Sequence, residues 1–333
     1  MVQAPHRCET SMTRLLPLFT LPLLLAACAT TVPVNDAGTL YHYQLKATQG
    51  NDLTLGQALA RVADADIVLV GELHTHPAVH LLQARMLAGL AANSRPLVLS
   101  MEQFSRADQP VLDAYLAGRI GEAALIRDGN AWPNYQSDYR PLVEFAKAHH
   151  LPVIAANAPK PLVSCVGQEG PAWLEQLPAP RRSQLARTLT LGDDPYRQKF
   201  MASLHHGDAD SNARRFAAQT SWDDTMAESM VDYLRSHPGQ RIMHIAGNFH
   251  VEGGLGLASR IASRNPALKV ALVVPELTAP QAGDGQAAAG RVADVRVGIA
   301  PLPERWLNAD EMKQDMGVLH QSRSRDCSQW LQP

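Results

Sequence analysis

Short apolar runs alternate with longer stretches in which apolar residues recur every three or four positions, from residue 53 to residue 301. The runs at 66–70, 97–101, 152–156, 241–246 and 270–274 are continuously apolar, the pattern of strands buried on both faces of a parallel sheet. A run at 292–299 predicts one more strand, and 40–45 a short edge strand. Helices are expected at 55–63, 78–92, 109–117, 139–149, 222–236 and 255–263, with Gly118 and Gly239 placed as C-terminal caps. The expected fold class is α/β, a mostly parallel sheet flanked by helices. The interval 159–219 is too long for one crossover, and Pro178, Pro180 and Pro195 divide its helical pieces, so it reads as a small helical insertion, a lid. The core then comprises 53–158 and 220–301, with a Gly-, Ala- and Pro-rich loop at 278–290 and a polar tail at 302–333.

The N-terminus follows a different pattern. Arg7 and Arg14 precede an apolar stretch, 15–27, that ends in Leu25-Ala26-Ala27 before Cys28. The stretch is shorter than the roughly 20 residues a membrane-spanning helix needs, and Pro17 and Pro22 interrupt it, so a secretory signal fits better than an anchor helix. Its end resembles the bacterial lipobox, in which the cysteine is lipidated and becomes the first mature residue. Residues 1–27 are then a lipoprotein signal peptide, with its start at Met1 or Met12, and 28–52 a lipidated tether. Ala29 in place of an aspartate resembles outer-membrane sorting patterns. The expected location is therefore the outer membrane, lipid-anchored, facing the periplasm or the cell exterior.

Composition narrows the function. A hydrophobic fraction of 46% supports a sizeable core, and 30 basic against 32 acidic residues leave no basic excess of the kind nucleic-acid binding requires. Four cysteines are too few for a disulfide scaffold. Outside the cytoplasm Cys165 and Cys327 are open to pairing or to remaining thiols, and nothing in the sequence places them together.

The crevice of an open parallel sheet lies outside the carboxyl ends of its strands. After the predicted strands come Glu72 and His74, Glu102 and Gln103, Asn157, Asn248 and His250, and Glu276. Carboxylates and histidines gathered there point to a metal or acid–base site. Glu72, His74, Glu102 and His250 form a candidate ligand set for a divalent ion such as Mn, Co or Zn, with hydrolysis by an activated water as the matching chemistry. Taken singly, His74 and Glu102 also suit helix starts. His80 reads as structural, His76 is open to either reading, and Asp224 and Glu228 share a helix face and are open to reaching the site or to ordinary helix-start chemistry. Aromatic residues make up only 5% of the chain, yet Trp132, Tyr135 and Tyr139 lie close together. They suit the start of a helix, or an aromatic wall with phenolic ligands for haem iron.

As an ordered set, the strings DIVLVGELH, LSMEQF, WPNYQSDYRPLVEFAK, VIAANAPKPL, AAQTSWDDTMAESM and IMHIAGNFHVEGG resemble the ChaN-type haem-binding lipoproteins. That family stands in a superfamily with TIKI and TraB proteins and, more distantly, erythromycin esterases. The resemblance spans 53–301. It implies haem bound for iron acquisition, in the ChaN case as a cofacial pair across a homodimer, with an outer-membrane haem receptor as a further partner. It also implies tyrosine ligation assisted by histidine, with Tyr135, Tyr139, His74 and His250 as cofactor-binding candidates. Gly71, Glu72, His74, Glu102, Gly247 and His250 match the superfamily's polar crevice, which in TIKI-like relatives supports metal-dependent hydrolysis. Erythromycin esterases carry a histidine where this chain has Thr75, which separates it from their pattern.

Overall fold

Eight strands form one sheet in the computed structural model, which describes residues 38–204, 207–278, 290–320 and 326–332. They are β1 (Tyr43–Ala47), β2 (Asp52–Leu53), β3 (Ile67–Glu72), β4 (Leu97–Ser105), β5 (Val153–Asn157), β6 (Arg241–Gly247), β7 (Val270–Leu277) and β8 (Val295–Ile299). Their spatial order is β2-β1-β8-β7-β3-β6-β4-β5. From β8 to β5 every pairing is parallel, and β1 closes the sheet antiparallel to both β8 and β2. The strand expected at 40–45 lies at Tyr43–Ala47 and is paired on both sides, so this part of the expected tether belongs to the fold. The expected signal peptide, Cys28, the start of the expected tether and most of the 278–290 loop lie outside the described residues. Among the described residues, no helix is long and apolar enough to cross a membrane.

The continuous apolar runs are two-sided. Along β3, Val68 and Val70 enter one core while Ile67 and Leu69 enter another on the opposite face, as the two-residue period of a strand dictates. The first core is covered by α1 (Leu55–Arg61), α2 (Pro77–Ala91), α3 (Gln109–Leu116), α4 (Glu122–Asp128) and α5 (Arg140–Ala148). On α2, fully buried Leu82, Met86 and Leu87 each contribute about 1.5–3 kcal/mol by leaving water. Where the chain leaves α3, Gly118 adopts φ +70, the left-handed conformation its position as a cap requires. A π-helical turn at Tyr135–Tyr139 precedes α5, where a regular helix start is expected.

The insertion contains α6 (Lys160–Glu169), the short α7 (Ala179–Arg182) and α8 (Pro195–Ala202). It is not separated from the second core, because α9 (Ala209–Ser236) runs unbroken from one into the other. The expected start of that helix at 222 is too late. Asp208 caps it, accepting from Ser211 N, and neither glycine nor proline interrupts it; its first turns are polar and conceal the periodicity. Met226 and Met230 on α9 are fully buried in the second core. The chain continues through α10 (Asn248–Val251) and α11 (Leu257–Arg264), and the polar tail carries α12 (Ala309–His320). Cys165 on α6 forms a disulfide with Cys327, fastening the C-terminal segment to the insertion.

Candidate functional site

From β3 the chain crosses past β6 to β4 with α2 on one face of the sheet, and from β6 it crosses back past β3 to β7 with α11 on the other. Adjacent parallel strands whose connections leave to opposite faces open a crevice at their carboxyl ends. Glu72 is in register with Gly247 at the last paired position of β3 and β6, and β4 flanks β6 with Met101 opposite Ile245. The segments Gly71-Glu72-Leu73-His74 and Gly247-Asn248-Phe249-His250 therefore meet, with Glu102 beside them. After β3 the turn into α2 holds Thr75 at φ +68, a conformation that β-branched residues seldom take. Pro77 then begins α2.

Glu72 is buried, and its carboxylate is surrounded by donors. Oε1 accepts from His74 Nδ1 at 2.8 Å, Tyr139 Oη at 2.7 Å and Gln103 Nε2 at 3.1 Å; Oε2 accepts from Gln83 Nε2 at 2.7 Å. Burial pushes this carboxyl's pKa up, but the His74 hydrogen bond, the His80 charge and the bonds from Gln83 and Tyr139 outweigh it and hold the group below its ordinary value. A carboxylate at Nδ1 makes that nitrogen the donor. His74 Nε2 then carries the ring's lone pair while the imidazole is neutral. The ring stands edge-on to Trp132, with centroids 5.1 Å apart, and its side chain is 47% exposed. Burial lowers the His74 pKa, yet Glu72 and Glu102 together raise it above the ordinary value.

Glu102 Oε2 accepts from Gly247 N at 2.6 Å, while Oε1 lies 3.7 Å from His250 Nε2. His250 Nδ1 donates to Asp223 Oδ1 at 2.8 Å, and Tyr196 Oη donates to Asp223 Oδ2 at 2.7 Å. Burial opposes charge on His250, but Asp223 and Glu102 prevail and push its pKa up to about 9.

The four residues expected to ligate a divalent ion are thus gathered around Gly247 but engaged with one another and with protein donors. Among the described residues, no group of three or more His, Cys, Asp or Glu side chains is arranged to hold a metal ion. Above them opens a cleft of about 460 Å³ lined by Glu72, Leu73, His74, Gln219, Gly247, Asn248, Phe249 and His250. Gly247 has no side chain for a spatial reason: a Cβ there would lie 3.1 Å from His74 Nε2. Asn248 donates to Glu252 at 2.8 Å, and its buried Oδ1 has no partner.

The tyrosines stand apart from the cleft lining. Tyr135 is buried in the first core against Phe104, its hydroxyl without a partner, and Tyr139 is buried behind Glu72. Burial and the nearby carboxylates push both phenols far up from their ordinary pKa, and the direct bond to Glu72 adds to this for Tyr139.

Several other expectations change. His76 is buried, with Nε2 donating to Ala300 O at 2.8 Å. His80 Nδ1 donates to Gln83 Oε1 at 2.9 Å, a supporting role. Asp224 and Glu228 do not reach the cleft; they bind Thr190 and Arg264, and Arg106 and Arg187, respectively. Glu276 pairs with Arg296 on β8. Asn157 supports the site indirectly, donating to Glu102 O at 3.0 Å. Asp223 and Gln83 escaped the strand-end rule because both sit on helices. Each is a polar residue on a buried helix face, among Met226 and Met230 in one case and Leu82 and Met86 in the other, and that pattern is a sequence signal for a buried partner.

Fold and crevice define an α/β protein with a polar ligand cleft at the switch point of its sheet. Residues 58–261 match the family model described as haem-binding uptake, Tiki superfamily, ChaN, and the chain belongs to that family. A solved structure of ChaN from Campylobacter jejuni, which binds haem cofacially, is 14% identical and superposes with a TM-score of 0.59 over 78% of this chain and 97% of its own. A mutant of the erythromycin esterase EreC in its open conformation is 13% identical, with a TM-score of 0.43 over 82% of this chain and 87% of its own. A Bacillus cereus protein is 11% identical, with a TM-score of 0.44 over 74% of this chain and 92% of its own. No curated protein sequence matches the chain.

Proposed function

We propose that the protein binds haem for iron acquisition in the cleft at the carboxyl ends of β3, β4 and β6, with His74 Nε2 as the iron-binding atom. The observation that carries this reading is the half-exposed His74 imidazole, its Nδ1 donated to the buried Glu72 carboxylate and its Nε2 beside the space that Gly247 leaves open. A histidine whose far nitrogen is fixed by a carboxylate is a well-formed iron or zinc ligand. The cleft's volume lies within the range of small-molecule sites. Leu73 and Phe249 supply apolar walls for a porphyrin. Haem, when bound, would supply an iron that accepts such a nitrogen.

Titrating the purified protein with hemin tests the reading. Saturable binding with a shifted Soret band is expected, and His74→Ala should abolish that shift. A wild-type spectrum equal to that of free hemin would contradict it.

The lipobox-like end at Cys28 supports an outer-membrane lipid anchor as part of the same proposal. Replacing Cys28 with Ala should move the protein from the membrane fraction to the soluble one. A cofacial homodimer and delivery from an outer-membrane haem receptor complete the proposal, by analogy with the family.

A further inference from the structure

We infer that Tyr139 is a positioning residue, not an iron ligand: with Gln83 it locks the Glu72 carboxylate, which in turn fixes the tautomer and direction of the His74 imidazole. The consequence for haem rests on the function proposed above, whereas the tautomer itself does not.

At Glu72 four donors surround the carboxylate, His74, Tyr139 and Gln103 at Oε1 and Gln83 at Oε2. The Tyr139 proton is already committed at 2.7 Å, and the ring is buried away from the cleft. To reach iron it would have to leave Glu72 one donor short and turn out of the core. The π-helical turn aims it inward, because that single turn delivers Tyr139 to Glu72 while Trp132, just before it, packs 6.0 Å from Tyr139 and edge-on to His74. Gln83 is held in turn by His80 through its Oε1 at 2.9 Å, which leaves its amide nitrogen facing Glu72. Every partner of Glu72 is thus a donor, so the carboxylate can only accept, and His74 Nδ1 must donate. Without an oriented acceptor there, the imidazole is free to place its proton on Nε2, where it blocks metal binding.

The test uses full-length protein labelled with ¹⁵N-histidine, studied without haem by NMR at a pH where His74 is neutral. Wild type should show Nδ1 protonated and Nε2 unprotonated. Tyr139→Phe should shift population toward the Nε2–H tautomer, and Glu72→Gln should shift it further. Gln83→Met, which removes a different donor, should move it in the same direction as Tyr139→Phe and serves if that variant does not fold. A wild-type His74 in the Nε2–H form, or a tautomer unchanged in these variants, would overturn the inference. With hemin added, Tyr139→Phe should bind several-fold more weakly while keeping the wild-type spectral class. Loss of that class with the tautomer unmoved would instead make Tyr139 a direct ligand. Should wild type bind no hemin, the functional proposal falls, and the NMR comparison still decides the positioning role.

Discussion

At the scale of single residues, the cleft depends on what is absent at one position. Gly247 has backbone angles any residue can adopt, φ −51 and ψ 140, so its space alone requires glycine. Gly247→Ala should leave the melting temperature near wild type but weaken hemin binding about tenfold, roughly 1.4 kcal/mol, by pressing on His74 Nε2. Equal affinity would show that the space is not used. The histidines also set a pH profile. The His250 pKa is raised from 6.5 to about 9, so its contribution is complete below 6.5 and is lost as pH rises through about 9. Buried His244, lowered to about 3 by burial and then by the His250 charge, stabilises the fold above its ordinary 6.5 and loses that contribution as pH falls toward 3. Denaturant unfolding should therefore show greatest stability near pH 6.5, with an alkaline decline on the order of 3 kcal/mol that His250→Gln removes. No decline up to pH 9 would contradict a raised His250 pKa. That Glu72, His74, Glu102 and His250 gather was legible because each lies in or just past the carboxyl-terminal half of a parallel strand. The role of Tyr139 was not, since one side chain can serve as ligand or support and only its neighbours decide.

At the scale of elements, the central strands were readable to within a few residues, because a short run that is apolar at every position must be covered on both sides, and a sheet between two layers of helices supplies that cover. The π-helical turn left no comparable trace. It determines which side chains of the aromatic segment face Glu72, and a regular helix start at 139 would direct them differently. The long helix α9 was read as half its length because its first turns serve the insertion rather than the core. Its buried Asp224 joins the two: it accepts from Thr190 N at 2.6 Å and Thr190 Oγ1 at 3.0 Å, and pairs with Arg264 at 2.9 Å. Asp224→Ala leaves Arg264 without its buried counter-charge and should cost about 3–5 kcal/mol in urea unfolding. A loss under about 1 kcal/mol would mean that the insertion is held chiefly by its apolar cluster.

At the scale of the whole molecule, the fold class followed from the alternation of strands and helices, while the closing of the chain's end onto the insertion did not. Cys165 and Cys327 are separated by 162 positions, and no local pattern links them. The Cys165→Ala, Cys327→Ala double variant should lose about 2–5 kcal/mol of stability. Its hemin affinity should stay unchanged, because neither cysteine lines the cleft. The identity of the iron ligand is tested most directly by the electron–nuclear double resonance spectrum of hemin-loaded protein grown with ¹⁵N-histidine. A ¹⁵N coupling from one histidine, absent in His74→Ala and present in Tyr139→Phe, is the predicted result. A ferric phenolate signature that survives His74→Ala and disappears in Tyr139→Phe would contradict ligation by His74.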